Sequence, residues 1–150
     1  MARPEKVVVD ASVAFKWFVE EQDSGVARQM AGDYGGGRVD VASVELLPFE
    51  VLNALRYAPD SGLEDLRTVA LALDKLGLDL RPLRGDLSVR CVENALRYGI
   101  SVYDSAYLSL GEIEDVPVYT ADVKLIKKVG CGVLRHISGY QLPTSKGVSL

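Results

Sequence analysis

The sequence predicts an α/β protein, a three-layer α/β/α sandwich built on a central, mainly parallel twisted sheet. Two observations lead there. Val7, Val8 and Val9 form a β-branched run with no polar alternation, the pattern of a strand covered on both faces. Further short strand patterns at Arg38–Ala42, Leu78–Leu83, Val116–Thr120 and Val133–Ile137 alternate with segments of helical periodicity.

Lys6–Ser12 (KVVVDAS) sets the frame. The strand runs into Asp10, and Ala11–Val19 reads as a short helix with Val13, Ala14, Trp17 and Phe18 on its apolar side. A second helix covers Ser24–Asp33, and Gly35, Gly36 and Gly37 break the chain. After the strand Arg38–Ala42, Ser43 is a candidate N-cap for a helix through Tyr57. Pro48 restricts the start, because proline is tolerated only in the first turn, so the helix is free to begin nearer Leu46. Ser61 and Glu64 have the spacing of a capping box ahead of a helix apolar at Leu63, Leu66, Val69, Ala70, Leu73 and Leu76. Leu71 and Ala72 widen that face beyond one stripe, which predicts a partner surface and a homodimer.

Gly77 ends that helix. Asp86 caps the next, which Gly99 stops after Tyr98. Ser101 caps a helix from Val102 to about Ile113, and a short helix over Asp122–Val129 follows the strand Val116–Thr120. Residues 143–150 read as a loose tail.

The chain has 150 residues, which suits one domain over 1–150, and an apolar share of 48 %, enough for a substantial core. Its net charge of −4 argues against extensive non-specific phosphate binding, though not against a local basic strip. No apolar run is long enough to span a membrane and the N-terminus has no signal-peptide core, so the expected location is cytoplasmic. Cys91 and Cys131 have no metal-type spacing; they read as reduced core residues, with a single disulfide as the alternative.

Four acids stand in awkward places. Asp10 and Asp122 follow strand patterns, and if those strands are parallel both carboxylates lie at one edge of the sheet, where open α/β sheets bind ligands. Helix capping is the competing reading for both. Glu50, in LLPFEVLNAL, and Asp104, in ISVYDSAYLSL, fall on or beside the apolar faces of their helices. Ionised carboxylates are rarely buried without a partner, yet neither has Lys or Arg three or four residues away. A cation from elsewhere in the fold is one answer, and a hard divalent ion, Mg²⁺ or Mn²⁺, is the other. Taking these four from the 21 acidic residues leaves as many acids as the 17 bases, so one metal site would account for the whole negative excess.

VVVDASV, LPFEVLNAL, VYDSAYLSL and YTADVKLI, in this order and approximate spacing, resemble the PIN-domain family, and within it the VapC-like toxins. The resemblance runs from Val7 to about Leu142. It implies a nuclease that cleaves RNA with Mg²⁺ or Mn²⁺, and Asp10, Glu50, Asp104 and Asp122 as the acidic cluster. It also implies supporting roles for the Ser12 and Thr120 hydroxyls and for Asn53, and a VapB-like antitoxin peptide as partner. Some members carry a further acid just after the last one. Here Lys124 and Leu125 stand there, a departure that argues against a fully occupied second metal site.

Lys124, Lys127 and Lys128 share one helix face, either a solvated face that suits the helix dipole or a strip guiding the RNA backbone. His136 is the only histidine and reads as structural, which removes Ser-His and Cys-His catalysis. Phe15 and Trp17 read as packing residues. The expected activity is a metal-dependent endoribonuclease, the toxin of a toxin–antitoxin pair. The alternatives are a PIN-type nuclease in RNA processing or DNA cleavage, and an inactive PIN-like protein-binding module. A phospho-acceptor signalling domain fits the pattern poorly.

Overall fold

A computed structural model describes residues 3–130 and 132–142. The expected loose tail at 143–150 and Cys131, with any pairing it makes, lie outside the described residues. The elements in chain order are β1 (Glu5–Val9), α1 (Ala11–Phe15), α2 (Ser24–Gly35), β2 (Val39–Val44), α3 (Leu47–Arg56) and α4 (Leu63–Leu76). They continue with β3 (Asp79–Arg81), α5 (Asp86–Tyr98), α6 (Val102–Glu114), β4 (Val118–Thr120), α7 (Val123–Val129) and β5 (Leu134–His136).

The sheet has the order β3-β2-β1-β4-β5, and every neighbouring pair is parallel. The valine run therefore sits in the middle strand, and Val7, Val8 and Val9 are all buried. Each such side chain contributes about 1.5–3 kcal/mol by leaving water. Helices flank the sheet to give the expected α/β/α arrangement: α6 packs across β1, β2 and β4, while α2 lies on β2 and α7 on β5. The chain proceeds outward from β1 through β2 to β3, then returns to β4 on the other side. The strand order thus reverses between β1 and β4. That gap at the carboxyl ends of the strands is where such folds bind ligands.

One glycine lets the layers close. A Cβ on Gly111 of α6 would overlap the Val118 side chain of β4 and crowd the Val116 carbonyl. Its absence lets the helix that carries Asp104 lie flat on the strand that leads to Asp122.

Several local expectations need correction. α1 stops at Phe15 rather than Val19, because Lys16 turns inward, buried, to pair with Glu21 at 2.8 Å and the Gln22 carbonyl at 2.6 Å. Ser43 does not cap a helix. It lies within β2, and its hydroxyl donates to the Val9 carbonyl at 2.6 Å. The cap of α4 is Gly62, whose N–H donates to Asp65 at 3.0 Å, so the capping acid is Asp65 and not Glu64. Gly85, not Asp86, is the N-cap of α5; Asp86 is its first residue. Phe15 and Trp17 pack against the core, and His136 ends β5 with Nδ1 2.7 Å from the Ser138 hydroxyl. Among the described residues, no helix is long and apolar enough to cross a membrane.

Candidate active site at the carboxyl edge of the sheet

Asp10 follows the last residue of β1 and caps α1. Its N–H donates to the Tyr119 carbonyl, which ties it to β4 across the switch point. Its Oδ1 accepts from the Ser12 hydroxyl at 2.6 Å and from the Val13 N–H at 3.2 Å. The carboxyl is nearly inaccessible, 6 % exposed, and burial pushes its pKa up to about 6 against the Ser12, Thr120 and Val13 hydrogen bonds; the charge of Asp104 adds to the rise. Asp10 thus caps α1 through one oxygen, and no cationic side chain among the described residues pairs with its carboxylate.

Ser12 and Thr120 join the two strand ends. The Ser12 hydroxyl accepts from the Ala121 N–H at 2.8 Å and stands 3.4 Å from Thr120 Oγ1, which accepts from the Asp122 N–H at 3.0 Å. Thr120 is fully buried. Asp122 caps α7, with Oδ1 accepting from the Leu125 N–H at 3.1 Å, and is exposed.

Asp104 enters from α6. Ser101 caps that helix through the Asp104 N–H at 3.0 Å, which fixes where the first turn begins and so where Asp104 stands. Its pKa is raised, first by burial and then by the charge of Asp122, opposed by the Ser101 hydrogen bond and by the charge of Lys128. Asp10 therefore feels Asp104, and Asp104 feels Asp122. Three of the expected acids share one electrostatic neighbourhood.

Glu50 lies in the first turn of α3, with Pro48 in the helix's opening residues as the sequence requires. It is half-buried and accepts from the Tyr107 hydroxyl at 2.6 Å. Tyr107 is not among the residues that the sequence marks for function. It is buried on α6 one turn beyond Asp104. Its pKa is raised by burial, by the bond to and charge of Glu50, and by the charges of Asp10 and Asp104. The only sequence signal was a polar hydroxyl at i+3 from a semi-buried acid on an otherwise apolar face. Asn53 is exposed one turn beyond Glu50. Lys124, Lys127 and Lys128 are exposed on α7, and Lys128 Nζ reaches the Gly99 carbonyl at 3.4 Å.

Among the described residues, none of the four acids forms an ion pair with Lys, Arg or His. Likewise, no three His, Cys, Asp or Glu side chains close in tightly enough to hold an ion as they stand. The donors are nonetheless carboxylate and hydroxyl oxygens without nitrogen or sulfur, the set that suits a hard cation such as Mg²⁺ or Mn²⁺. A buried carboxylate with no cationic partner, backed by two more acids, fits such a group chemically.

Solved structures share this architecture. One chain of a toxin–antitoxin complex from Klebsiella pneumoniae superposes with a TM-score of 0.66 at 14 % identity, covering 87 % of this chain and 97 % of that one. VapBC2 from Rickettsia felis, solved bound to a DNA fragment from its promoter, gives 0.62 at 10 % identity, covering 87 % and 98 %. VapBC-5 from Mycobacterium tuberculosis, a member of the VapBC family of toxin–antitoxin systems, gives 0.54 at 18 % identity, covering 89 % and 98 %. The chain has the PIN-like fold of these neighbours. No family model matches it, and no curated protein does.

Proposed function

We infer that this chain is a metal-dependent endoribonuclease, the toxin of a toxin–antitoxin pair. The observation that carries the inference is the set of uncompensated acids, Asp10, Asp104 and Asp122, with Glu50 braced nearby, at the topological switch point of a PIN-like sheet. That several neighbours were solved as toxin–antitoxin complexes supports the toxin reading and a VapB-like antitoxin as partner.

Asp10, Asp104 and Asp122 would hold Mg²⁺ or Mn²⁺, with Glu50 contributing through water. The bound ion would supply a water of lowered pKa and neutralise charge at the scissile phosphodiester. The protein's own residues do the positioning. Ser12 and Val13 hold one oxygen of Asp10, and Thr120 fixes the backbone that presents Asp122. Tyr107 holds Glu50 against the cluster. Lys124, Lys127 and Lys128 on α7 offer the RNA backbone positive charge beside Asp122. Substrate binding brings further negative charge to a site already short of cations, so the affinity for RNA and for the metal should rise together.

The test is cleavage of single-stranded RNA by the purified protein, stripped of metal and then given Mn²⁺ or Mg²⁺. Cleavage restored by either ion and abolished by EDTA supports the reading. Equal cleavage with and without EDTA, or no cleavage of any RNA with either ion, refutes it.

A further inference from the structure

The outward face of α3 carries Phe49, Asn53 and Tyr57 at i, i+4 and i+8, a stripe with about 6 Å of rise per step. Phe49 is 73 % exposed and Tyr57 72 %. Across from Phe49, Tyr103 in the first turn of α6 is 60 % exposed. Phe49 and Tyr103, with Leu46, Glu50 and Asn53, line one depression of about 450 Å³. Leu46, Phe49 and Tyr103 also wall an adjoining, more apolar groove. Single exposed apolar residues are ordinary, but two aromatic rings lining one concavity beside an acidic cluster mark a binding surface.

We propose that Phe49, Tyr103 and Asn53 form a nucleobase subsite that takes an unstacked base of single-stranded RNA next to the scissile phosphate. The proposal rests on the ribonuclease reading above and names how that site engages its substrate. The two rings offer π-faces for stacking, and the Asn53 amide offers one donor group and one acceptor to a base edge. Glu50 on the wall, with no Lys or Arg lining the depression, repels a phosphate and accepts a neutral ring. An extended peptide would bring a backbone N–H and C=O per residue against walls whose polar groups are Asn53, Glu50 and the Tyr103 hydroxyl. The depression lies beside the acids: Glu50 lines it, and Tyr103 directly precedes Asp104 in the first turn of α6. Farther along the stripe, the Arg56 guanidinium lies 5.2 Å over the Tyr57 ring and supplies the cation for a neighbouring phosphate.

The experiment uses the full chain carrying Asp104→Asn, with Mn²⁺, and short single-stranded RNAs bearing 2-aminopurine or an abasic nucleotide at successive positions. Fluorescence quenching at one position is expected. Phe49→Ala and Tyr103→Ala should each weaken RNA binding roughly 5- to 100-fold, while Tyr103→Phe keeps it, as stacking on a ring requires. Removing the base at that one position should weaken the parent protein equally and erase the difference between parent and variants. Circular dichroism checks that the variants, altered only at exposed side chains, stay folded. RNA affinity unchanged in both alanine variants overturns the proposal and leaves the face to a protein partner. A loss in the variants that persists on abasic strands at every position overturns it as well. Base-dependent binding without Mn²⁺-dependent cleavage by the unsubstituted protein would sink the nuclease reading but keep the subsite. Cleavage without base-dependent binding would do the reverse.

Discussion

The Tyr107 hydroxyl donates to Glu50 at 2.6 Å and so joins α6 to α3 across the mouth of the site. Hydrogen bonds to a charged acceptor contribute about 1.5–3 kcal/mol where water is excluded, less where the acceptor is half-exposed as here. Tyr107→Phe is expected to lower stability by about 1 kcal/mol in urea unfolding. RNA cleavage should fall further than that loss explains, because Glu50 is no longer held. Unchanged kcat/KM in the folded variant would reduce Tyr107 to a packing residue.

Asp10 gives a pH-dependent prediction. Its folded pKa of about 6 lies above the ordinary value of 3.8, so the folded chain binds this proton more tightly than the unfolded chain does. Stability from this group is therefore full below about pH 4 and is lost as the pH rises through 6, up to about 3 kcal/mol in all. In EDTA, Asp10→Asn should be more stable than the parent at pH 8 and indistinguishable from it near pH 4. Thermal unfolding at both values checks this; a variant destabilised at pH 8 would contradict it.

The same proton couples to the metal. An ion at Asp10 needs the carboxylate, so Mn²⁺ affinity should climb about tenfold per unit between pH 4.5 and 6 and level off above. Calorimetry in two buffers of different ionisation enthalpy should find about one proton released per ion at pH 5 and fewer at pH 8. An affinity flat across this range would remove Asp10 from the metal shell.

Gly111→Ala tests how the layers hold the site. The added methyl meets the Val118 side chain and the Val116 carbonyl, and overpacking of this kind costs about 1–3 kcal/mol, only partly offset by alanine's better helix propensity. A lower midpoint in urea is expected; a higher one would show that α6 can shift freely on β4.

The homodimer expected from α4 finds more apolar surface on α5. Leu71 is exposed on α4 as the sequence implied, but Val89, Val92 and Leu96 form an exposed stripe on α5 at i, i+3 and i+7. A dimer by light scattering at micromolar concentration, broken by Leu96→Glu, is the expected result. A monomer at all concentrations would contradict it.

The strand ends were legible because runs of β-branched and aromatic residues with acids behind them leave a local signature; Val7–Val9 with Asp10, and Val116–Thr120, of which Val118–Thr120 forms β4, with Asp122, needed no tertiary information. Helix ends were legible where one residue decides them, as at Ser101, Gly77 and Gly99. Ser43 misled because serine caps helices in general, whereas here a carbonyl of the neighbouring strand takes its hydroxyl. Lys16 was missed for a related reason: its partners, Glu21 and the Gln22 carbonyl, are met only after the chain has turned. Tyr107 and Glu50 lie far apart in sequence, and nothing local in either segment encodes their bond. The depression between Phe49 and Tyr103 likewise exists only once α3 and α6 are side by side.

The most direct measurement is the chemistry of the RNA ends after cleavage in Mn²⁺, for the unsubstituted chain and for Asp104→Asn. A water activated by an ion held at Asp10, Asp104 and Asp122 would break the bond to the 3′-oxygen, which would leave with a proton, and would place its own oxygen on phosphorus. The expected products are 5′-phosphate and 3′-hydroxyl ends, with cleavage at least a hundredfold slower in a folded Asp104→Asn protein, a loss of about 2.7 kcal/mol in transition-state stabilisation. Ends carrying 2′,3′-cyclic phosphate, or cleavage by Asp104→Asn at the parent rate, would contradict the assignment of these acids.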